Sequence, residues 1–388
     1  MSIDGIAALV FIVILAVFLF LKRKQVQLQK ALFPVLYVML YRSSFGLRAM
    51  EYAKNSRLVK LFGDISIIAG FLGMILISAE LIWETAKVFL GQGIPSIQPV
   101  LPIEAKGVFF VPFLYWILSI FALALVHEFS HGIVARAYNV PVKSSGFAFL
   151  CLLVPIVPAA FVEPDEKVVQ KRPYRQQLGI FAAGSISNLL FALVIFGLFG
   201  ILSPILTSAF DQTGVELISV TENDPAFAGG LRQGDIIQSI NNIPVISPQN
   251  ITQLLSNMSP GDTAQVATAN NSLNITVGAH PENNSTAYLG IQAKIHFIPN
   301  EQFVASYGSL VPLVLKWFAG FIYWLFMLNI GIGLFNLLPI GPLDGGRMFQ
   351  LVCFKIFKNK LTALKIWTYV SGFFILLILA NMFTGFIK

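Results

Sequence analysis

Charge is what this sequence has least of. Only 12% of its 388 residues are Asp, Glu, Lys or Arg, against 56% hydrophobic, and the mean hydropathy is +0.75. That balance excludes an ordinary soluble domain and a disordered chain. Cysteine is equally scarce: Cys151 and Cys353 each stand in apolar surroundings, which excludes a disulfide framework and a thiolate metal site and leaves both expected as packing residues. The net charge of +7 does not point to nucleic acid, because the bases lie in short segments beside apolar runs and are not gathered on one polar face. No basic segment precedes the first apolar run, about residues 3 to 21, and no small-residue cleavage site follows it. It is expected to be a retained span, not a signal peptide.

Apolar runs of about 20 residues, the length that crosses a hydrocarbon core of roughly 30 Å, are abundant. Besides residues 3 to 21 they fall near 63 to 91, 108 to 137, 177 to 206, 304 to 339 and 362 to 386, which predicts six transmembrane helices. A further stretch, Gly146 to Val162, is broken by Pro155 and Pro158 and is expected to be re-entrant.

Lys and Arg accumulate on the cytoplasmic side of membrane proteins, and the connecting segments alternate accordingly. From Lys22 to Lys60 there are nine bases and one acid, from Arg136 to Arg175 six bases and three acids, and from Arg347 to Lys365 five bases and no acid. Residues 92 to 107 hold one of each sign, and 211 to 301 hold eight acids and two bases. The three basic segments are therefore expected in the cytoplasm, with the other segments and both termini outside. Residues 211 to 298 are rich in Asn, Ser, Thr and Gly, contain no spanning run and carry six Asn-x-Ser/Thr sequons, as suits a small extracytoplasmic domain.

The third span contains His127-Glu128-Phe129-Ser130-His131, an H-E-x-x-H motif in apolar helix sequence. The i, i+4 spacing puts both imidazoles on one helix face, able to grip one ion, and sets Glu128 beside them as a general base. Two core histidines would be the bland alternative, but three ionisable side chains within five residues of a spanning helix each carry a penalty of order a few kcal/mol and call for a function. A catalytic zinc site needs a third protein ligand. His280 and His296 lie in the outward segment, whereas Asp344 stands at the cytoplasmic end of the fifth span, in Asn336-Leu337-Leu338-Pro339-Ile340-Gly341-Pro342-Leu343-Asp344-Gly345-Gly346. His127 lies about 19 residues into its helix, roughly 28 Å of rise, so the depths agree.

The H-E-x-x-H motif and the later L-D-G resemble the site-2 protease family of intramembrane zinc metalloproteases. Gly184-Ser185-Ile186-Ser187-Asn188 is similar to that family's G-x-x-x-N motif. Ala160-Phe161-Val162-Glu163-Pro164-Asp165-Glu166 resembles a segment of its archaeal and eukaryotic members that follows a re-entrant hairpin. Pro225 to Ile237, followed by Ile240 to Val245, resembles PDZ domains of protease type. In the bacterial N-x-x-P-x-P-x-L-D-G pattern the second proline comes one residue earlier than Pro342 does here.

The resemblance implies an all-α polytopic membrane protein of about six transmembrane helices plus a re-entrant hairpin, with an inserted extracytoplasmic PDZ-like α+β domain. The expected boundaries are 1–107 for the first two spans and a basic loop, 108–206 and 304–350 for the catalytic membrane core, 211–298 for the PDZ-like domain and 351–388 for the last span. It further implies Zn2+ on His127, His131 and Asp344, Glu128 as general base, Asn336 and Asn188 as groups that bond an extended substrate, and transmembrane proteins as substrates within the lipid bilayer. Amides near Gly230 and Leu231 are expected to receive a peptide carboxylate, unless the domain serves as a size filter. The implied membrane is a prokaryotic, archaeal cell membrane. A transporter with a buried metal site, or a catalytically silent scaffold, would be the alternatives; no internal repeat supports the first, and the second would normally have lost a ligand or the Glu.

Overall fold

The computed structural model describes residues 3–32, 36–91, 93, 95–151, 155–280 and 283–387. In chain order its main elements are α1 (Ile3–Leu21), β1 (Val26–Leu32), β2 (Leu36–Ser43), α2 (Arg57–Phe89), α3 (Phe113–Ala137), β3 (Val142–Cys151), β4 (Pro155–Pro164) and α4 (Tyr174–Ala209). There follow β5 (Phe210–Val220), β6 (Ile236–Ile240), α5 (Pro248–Ser256), β7 (Thr263–Thr268), β8 (Ser272–Thr276), β9 (Ile291–Pro299), α6 (Leu310–Phe335), α7 (Asp344–Ile356) and α8 (Lys360–Ile387). Residues 1–199 with 319–388 form one unit and 200–318 a second.

Six helices, α1, α2, α3, α4, α6 and α8, are long and apolar enough to span a bilayer, and they coincide with the six runs legible in the sequence. Their outward faces carry large exposed apolar side chains such as Leu9, Ile14, Ile68, Leu72, Leu193, Phe196 and Leu376. Lipid is the solvent that such faces require. With little hydrophobic drive between helices in lipid, close approach relies on small residues. Where α2 meets α4, a Cβ on Gly179 would lie 3.2 Å from the Gly63 carbonyl oxygen. Two turns further along α2, a Cβ on Gly70 would lie 3.3 Å from Ala182 and 3.0 Å from Met348, so α7 closes on the same seam.

The first unit is not purely helical. Residues Gly146 to Val162 form most of an antiparallel hairpin of β3 and β4, joined through residues outside those described. A second hairpin, β1 and β2, adds to it in the order β1-β2-β3-β4. The β1–β2 hairpin, formed within the basic segment between the first two spans, corrects the expectation of an all-α membrane unit with a single re-entrant hairpin. Gly146 lets β2 and β3 approach, since a Cβ there would fall 2.0 Å from the Tyr41 carbonyl oxygen. β4 is an edge strand, where Pro155 and Pro158 can sit without breaking a ladder on both sides. Cys353 is buried, as expected; the side chain of Cys151 lies outside the described residues.

The 200–318 unit is an antiparallel sheet of order β8-β7-β6-β5-β9, to which the short strand Ile243–Pro244 pairs at β6. Val215, Leu217, Leu231, Ile237, Ile240, Val266, Ile275 and Leu289 form its core, all at most 1% exposed. α5 contributes Ile251 and Leu255 to that core, and its start is set by Pro248 at the first turn and a reciprocal Ser247–Asn250 capping box.

One ion pair ties the four-stranded sheet across three strands. The guanidinium of Arg42 on β2 donates to both carboxylate oxygens of Glu163 on β4, at 3.0 and 3.2 Å, and the Ser144 hydroxyl on β3 donates to the same carboxylate. These hydrogen bonds from Arg42 and then Ser144 hold the Glu163 carboxyl below the usual carboxylate range. A depressed folded pKa stabilises above the unfolded value of about 4.3 and is lost as pH falls through the folded pKa. Both partners are partly exposed, so the pair is worth at most about 1 kcal/mol. The expected result is that Arg42→Gln lowers the Tm of the detergent-solubilised protein at pH 7, and that the gap to wild type narrows as the melt is repeated down to pH 3.

Candidate metal centre

The site begins with α3. Helical spacing stacks His127 and His131 one turn apart on one face, with ring centroids 4.8 Å apart and Nε2 atoms separated by 3.2 Å. The third group comes from the first residue of α7. There the chain turns sharply after α6: the Gly345 N–H donates to the Asn336 carbonyl, and Leu343 stands extended at the residue before the new helix. A Cβ on Gly345 would fall 2.0 Å from the Leu337 carbonyl oxygen, and one on Gly346 1.9 Å from that of Ile340. The two glycines are what allow the turn to fold this tightly. α8 braces it, the Trp367 indole N–H donating to the Gly346 carbonyl and the Ser371 hydroxyl to that of Pro339. The shifted proline, Pro342, is accommodated within the same turn.

Asp344 is thereby brought against both imidazoles. Its Oδ2 lies 3.3 Å from His127 Nε2 and its Oδ1 lies 3.4 Å from His131 Nε2. Four-coordinate zinc with bonds of about 2.0–2.1 Å holds its ligand atoms roughly 3.3–3.4 Å apart. The two Nε2 atoms, 3.2 Å apart, lie close to that edge length, the aspartate sets one oxygen beside each of them, and one ligand atom from each residue lies within 4.8 Å of the other two. The three residues form a group able to hold a metal ion.

α4 supplies the wall behind the three donors. A Cβ on Gly184 would lie 2.3 Å from His131 Nε2 and 2.7 Å from His127 Nε2, so any side chain at this position would enter the donor cluster. Ser185 is fully buried and donates its hydroxyl to Asp344 Oδ2 at 2.9 Å. The Ile180 carbonyl lies 2.7 Å from His131 Nδ1, and the Asn188 amide nitrogen lies 3.4 Å from His127 Nδ1. Ile180, Gly184 and Ser185 had no individual role in the sequence reading. The glycine and serine lie inside the G-x-x-x-N match, whereas Ile180 acts through its backbone and leaves no side-chain signal.

Glu128 points from the same turn toward the hairpin, and its Oε2 accepts the Val162 N–H of β4 at 3.1 Å. A cavity of roughly 1580 Å³ opens beside the donors and Glu128. It is lined by His127, Glu128, His131, Asn188, Asn336 and Asp344, and on one side by β4 from Ala159 to Pro164. Asn336 therefore faces the same space as the donors.

Gly230 and Leu231 lie in the 200–318 unit and do not match their expected role. The amides of Gly229, Gly230 and Leu231 already donate to the carbonyls of Pro225, Phe227 and Ala226, and the Leu231 side chain is fully buried in the core. They are the end of a short helical turn (Pro225–Ala228), not free donors for a carboxylate.

Comparison with known proteins identifies the family. The profile of peptidase family M50 matches residues 115–379, which include every donor above. A Methanocaldococcus jannaschii protein described only as uncharacterized is 28% identical over 321 residues, covering 80% of this chain and 76% of its own length. A membrane-bound transcription factor site-2 protease homolog of Arabidopsis thaliana is 26% identical over 226 residues, covering 56% of this chain and 41% of the Arabidopsis protein. Among solved structures, the PDZ domain of an SdrC-like protein from Listeria innocua is 30% identical, covering 21% of this chain and 96% of that domain, with a TM-score of 0.19. The chain belongs to peptidase family M50, the site-2 protease family, and is a multi-pass intramembrane metalloprotease.

Proposed function

We propose that His127, His131 and Asp344 hold one Zn2+ and that Glu128 is the general base for peptide-bond hydrolysis within transmembrane segments of other proteins. The observation that carries this reading is the convergence of the three donors beneath Gly184, within 4.8 Å of one another, with a carboxylate one residue along the same helix. When bound, the ion is a Lewis acid that makes water a competent nucleophile near neutral pH and polarises a carbonyl. Glu128 would take a proton from the attacking water at its carboxylate and return it to the leaving amine. Its hydrogen bond to Val162 sets the carboxylate between the donors and β4. Two imidazoles and a carboxylate favour zinc over harder cations.

A spanning helix hides its carbonyls in i to i+4 bonds, so the substrate must unwind locally. β4 is an edge strand lining the cavity, and an extended substrate segment can add to it. Alternation along the strand turns the Ala160 backbone to the same side as the Val162 N–H. Asn336, facing the cavity, is assigned to hydrogen-bond the extended segment. The 200–318 unit is read as PDZ-like from the Pro225–Val245 pattern, and it selects substrates at their extracytoplasmic ends, as suits an enzyme that cuts after ectodomain removal. The basic segments 22–60, 136–175 and 347–365 are assigned to the cytoplasm, with the 200–318 unit and both termini outside, in an archaeal cell membrane.

The chemistry is tested on a single-span model substrate with detergent-purified protein. Glu128→Gln is expected to keep wild-type zinc content and lose about 10²–10⁴-fold in cleavage rate. Asp344→Asn and Gly184→Ala are expected to lose most of the zinc, the first by removing a ligand and the second by filling its place. Wild-type cleavage by Glu128→Gln would remove Glu128 from its role. Topology is tested with single cysteines in a chain lacking Cys151 and Cys353: Asn270→Cys should react with an impermeant maleimide on intact cells, and Lys358→Cys only after permeabilisation. The reverse order would invert the assignment.

A further inference from the structure

We propose that Asn188 is a positioning residue for the metal site: its side-chain oxygen accepts the Nδ1–H of His127 and thereby keeps the Nε2 lone pair of that histidine aimed at the shared donor cluster. The inference rests on the reading of His127 as a metal ligand and concerns what holds it in place.

A histidine that lends Nε2 to a cation must carry its hydrogen on Nδ1, and which nitrogen is free is decided by the partner of the other. For His131 that partner is unambiguous, because the Ile180 carbonyl, 2.7 Å from Nδ1, can only accept. His131 is therefore protonated at Nδ1 and has its lone pair on Nε2. At His127 the neighbour is the amide of Asn188, drawn with its NH₂ nitrogen 3.4 Å from Nδ1. In that orientation two donors would face each other, while the Asn188 oxygen, in a fully buried side chain, has no hydrogen-bond partner. The two ends of an amide are exchanged by a half-turn of its last torsion. The half-turn gives the orphaned oxygen a donor, gives the His127 Nδ1–H an acceptor and leaves both histidines in the same tautomer.

The arrangement follows from helix periodicity. Ile180, Gly184 and Asn188 are at i, i+4 and i+8 on α4, one face of that helix, and His127 and His131 are at i and i+4 on α3. Ile180 serves His131 and Asn188 serves His127, with Gly184 between them where both Nε2 atoms converge. One helix thus supplies the acceptor for each ring, the gap between the rings and, through Ser185, a donor to Asp344. The spacing of the G-x-x-x-N segment acquires a physical reason that helix packing alone does not supply.

Two substitutions separate positioning from packing. Asn188→Asp keeps an acceptor toward Nδ1 and adds a buried negative charge, whereas Asn188→Leu keeps the volume and removes the acceptor. The full-length proteins are purified in detergent, and the apparent Kd for Zn2+ is measured by chelator competition, with the Tm of each chelated form recorded alongside. The expected result is a Kd about 10- to 100-fold weaker for Asn188→Leu and a Kd for Asn188→Asp within a few-fold of wild type or tighter. A packing role would reverse that order, because the buried carboxylate would be the more disruptive change. If Asn188→Leu does not fold, Asn188→Ala takes its place as the acceptor-less form. An acceptor-less variant that binds Zn2+ as wild type does, or an aspartate variant weaker than the leucine one, overturns the proposal. Failure of wild type itself to bind Zn2+ would instead overturn the metal reading beneath it.

Discussion

Three polar side chains converge inside a protein whose solvent is largely hydrocarbon, and most of the membrane unit is arranged around keeping them together. Two imidazoles and a carboxylate cannot be left unpaired at that depth without a penalty of several kcal/mol. Asp344 meets both histidines at once, within 3.4 Å of each ring, so the residues answer one another's polarity. The same convergence makes a group able to hold a metal ion. The fold's unusual local features serve the contact: a turn tight enough to need Gly345 and Gly346, a missing side chain at Gly184 and a buried hydroxyl at Ser185.

These devices come from different stretches of chain, brought together in a bundle with little hydrophobic drive between its helices. α3 contributes periodicity and α7 contributes its first residue. α4 contributes a backbone carbonyl, a gap and two polar side chains on neighbouring positions of one face. Small residues bring the helices near enough for this to work, as at Gly63 with Gly179 and Gly70 with Ala182. The cavity then opens between the donors and β4, whose edge position and alternation suit it to an extended chain.

Much of this was legible in the sequence, for physical reasons that also mark the limits. The spans follow from run length, and the pairing of His127 with His131 follows from the helical repeat. Asp344 follows from depth and from being an acid at the cytoplasmic end of a span. Short patterns also mark what was missed: Val26 and Leu28 alternate with Gln27 and Gln29, and Leu36 to Tyr41 is a six-residue apolar run, both of which a search for 20-residue spans passes over, and they form the β1–β2 hairpin. Backbone contributors such as the Ile180 carbonyl and the Val162 N–H have no sequence signal at all. Gly230 and Leu231 show the opposite failure. Their motif is real, but its amides are consumed by the turn that the motif builds.

The most direct measurement is X-ray absorption at the zinc edge on the purified wild-type protein and on Asp344→Asn. Two imidazole nitrogens and oxygen neighbours at about 2.0–2.1 Å in the wild type, with zinc content falling sharply in the variant, is the expected result. A sulfur neighbour, a single imidazole, or a zinc environment that Asp344→Asn leaves unchanged would contradict the assignment of His127, His131 and Asp344 as the metal centre.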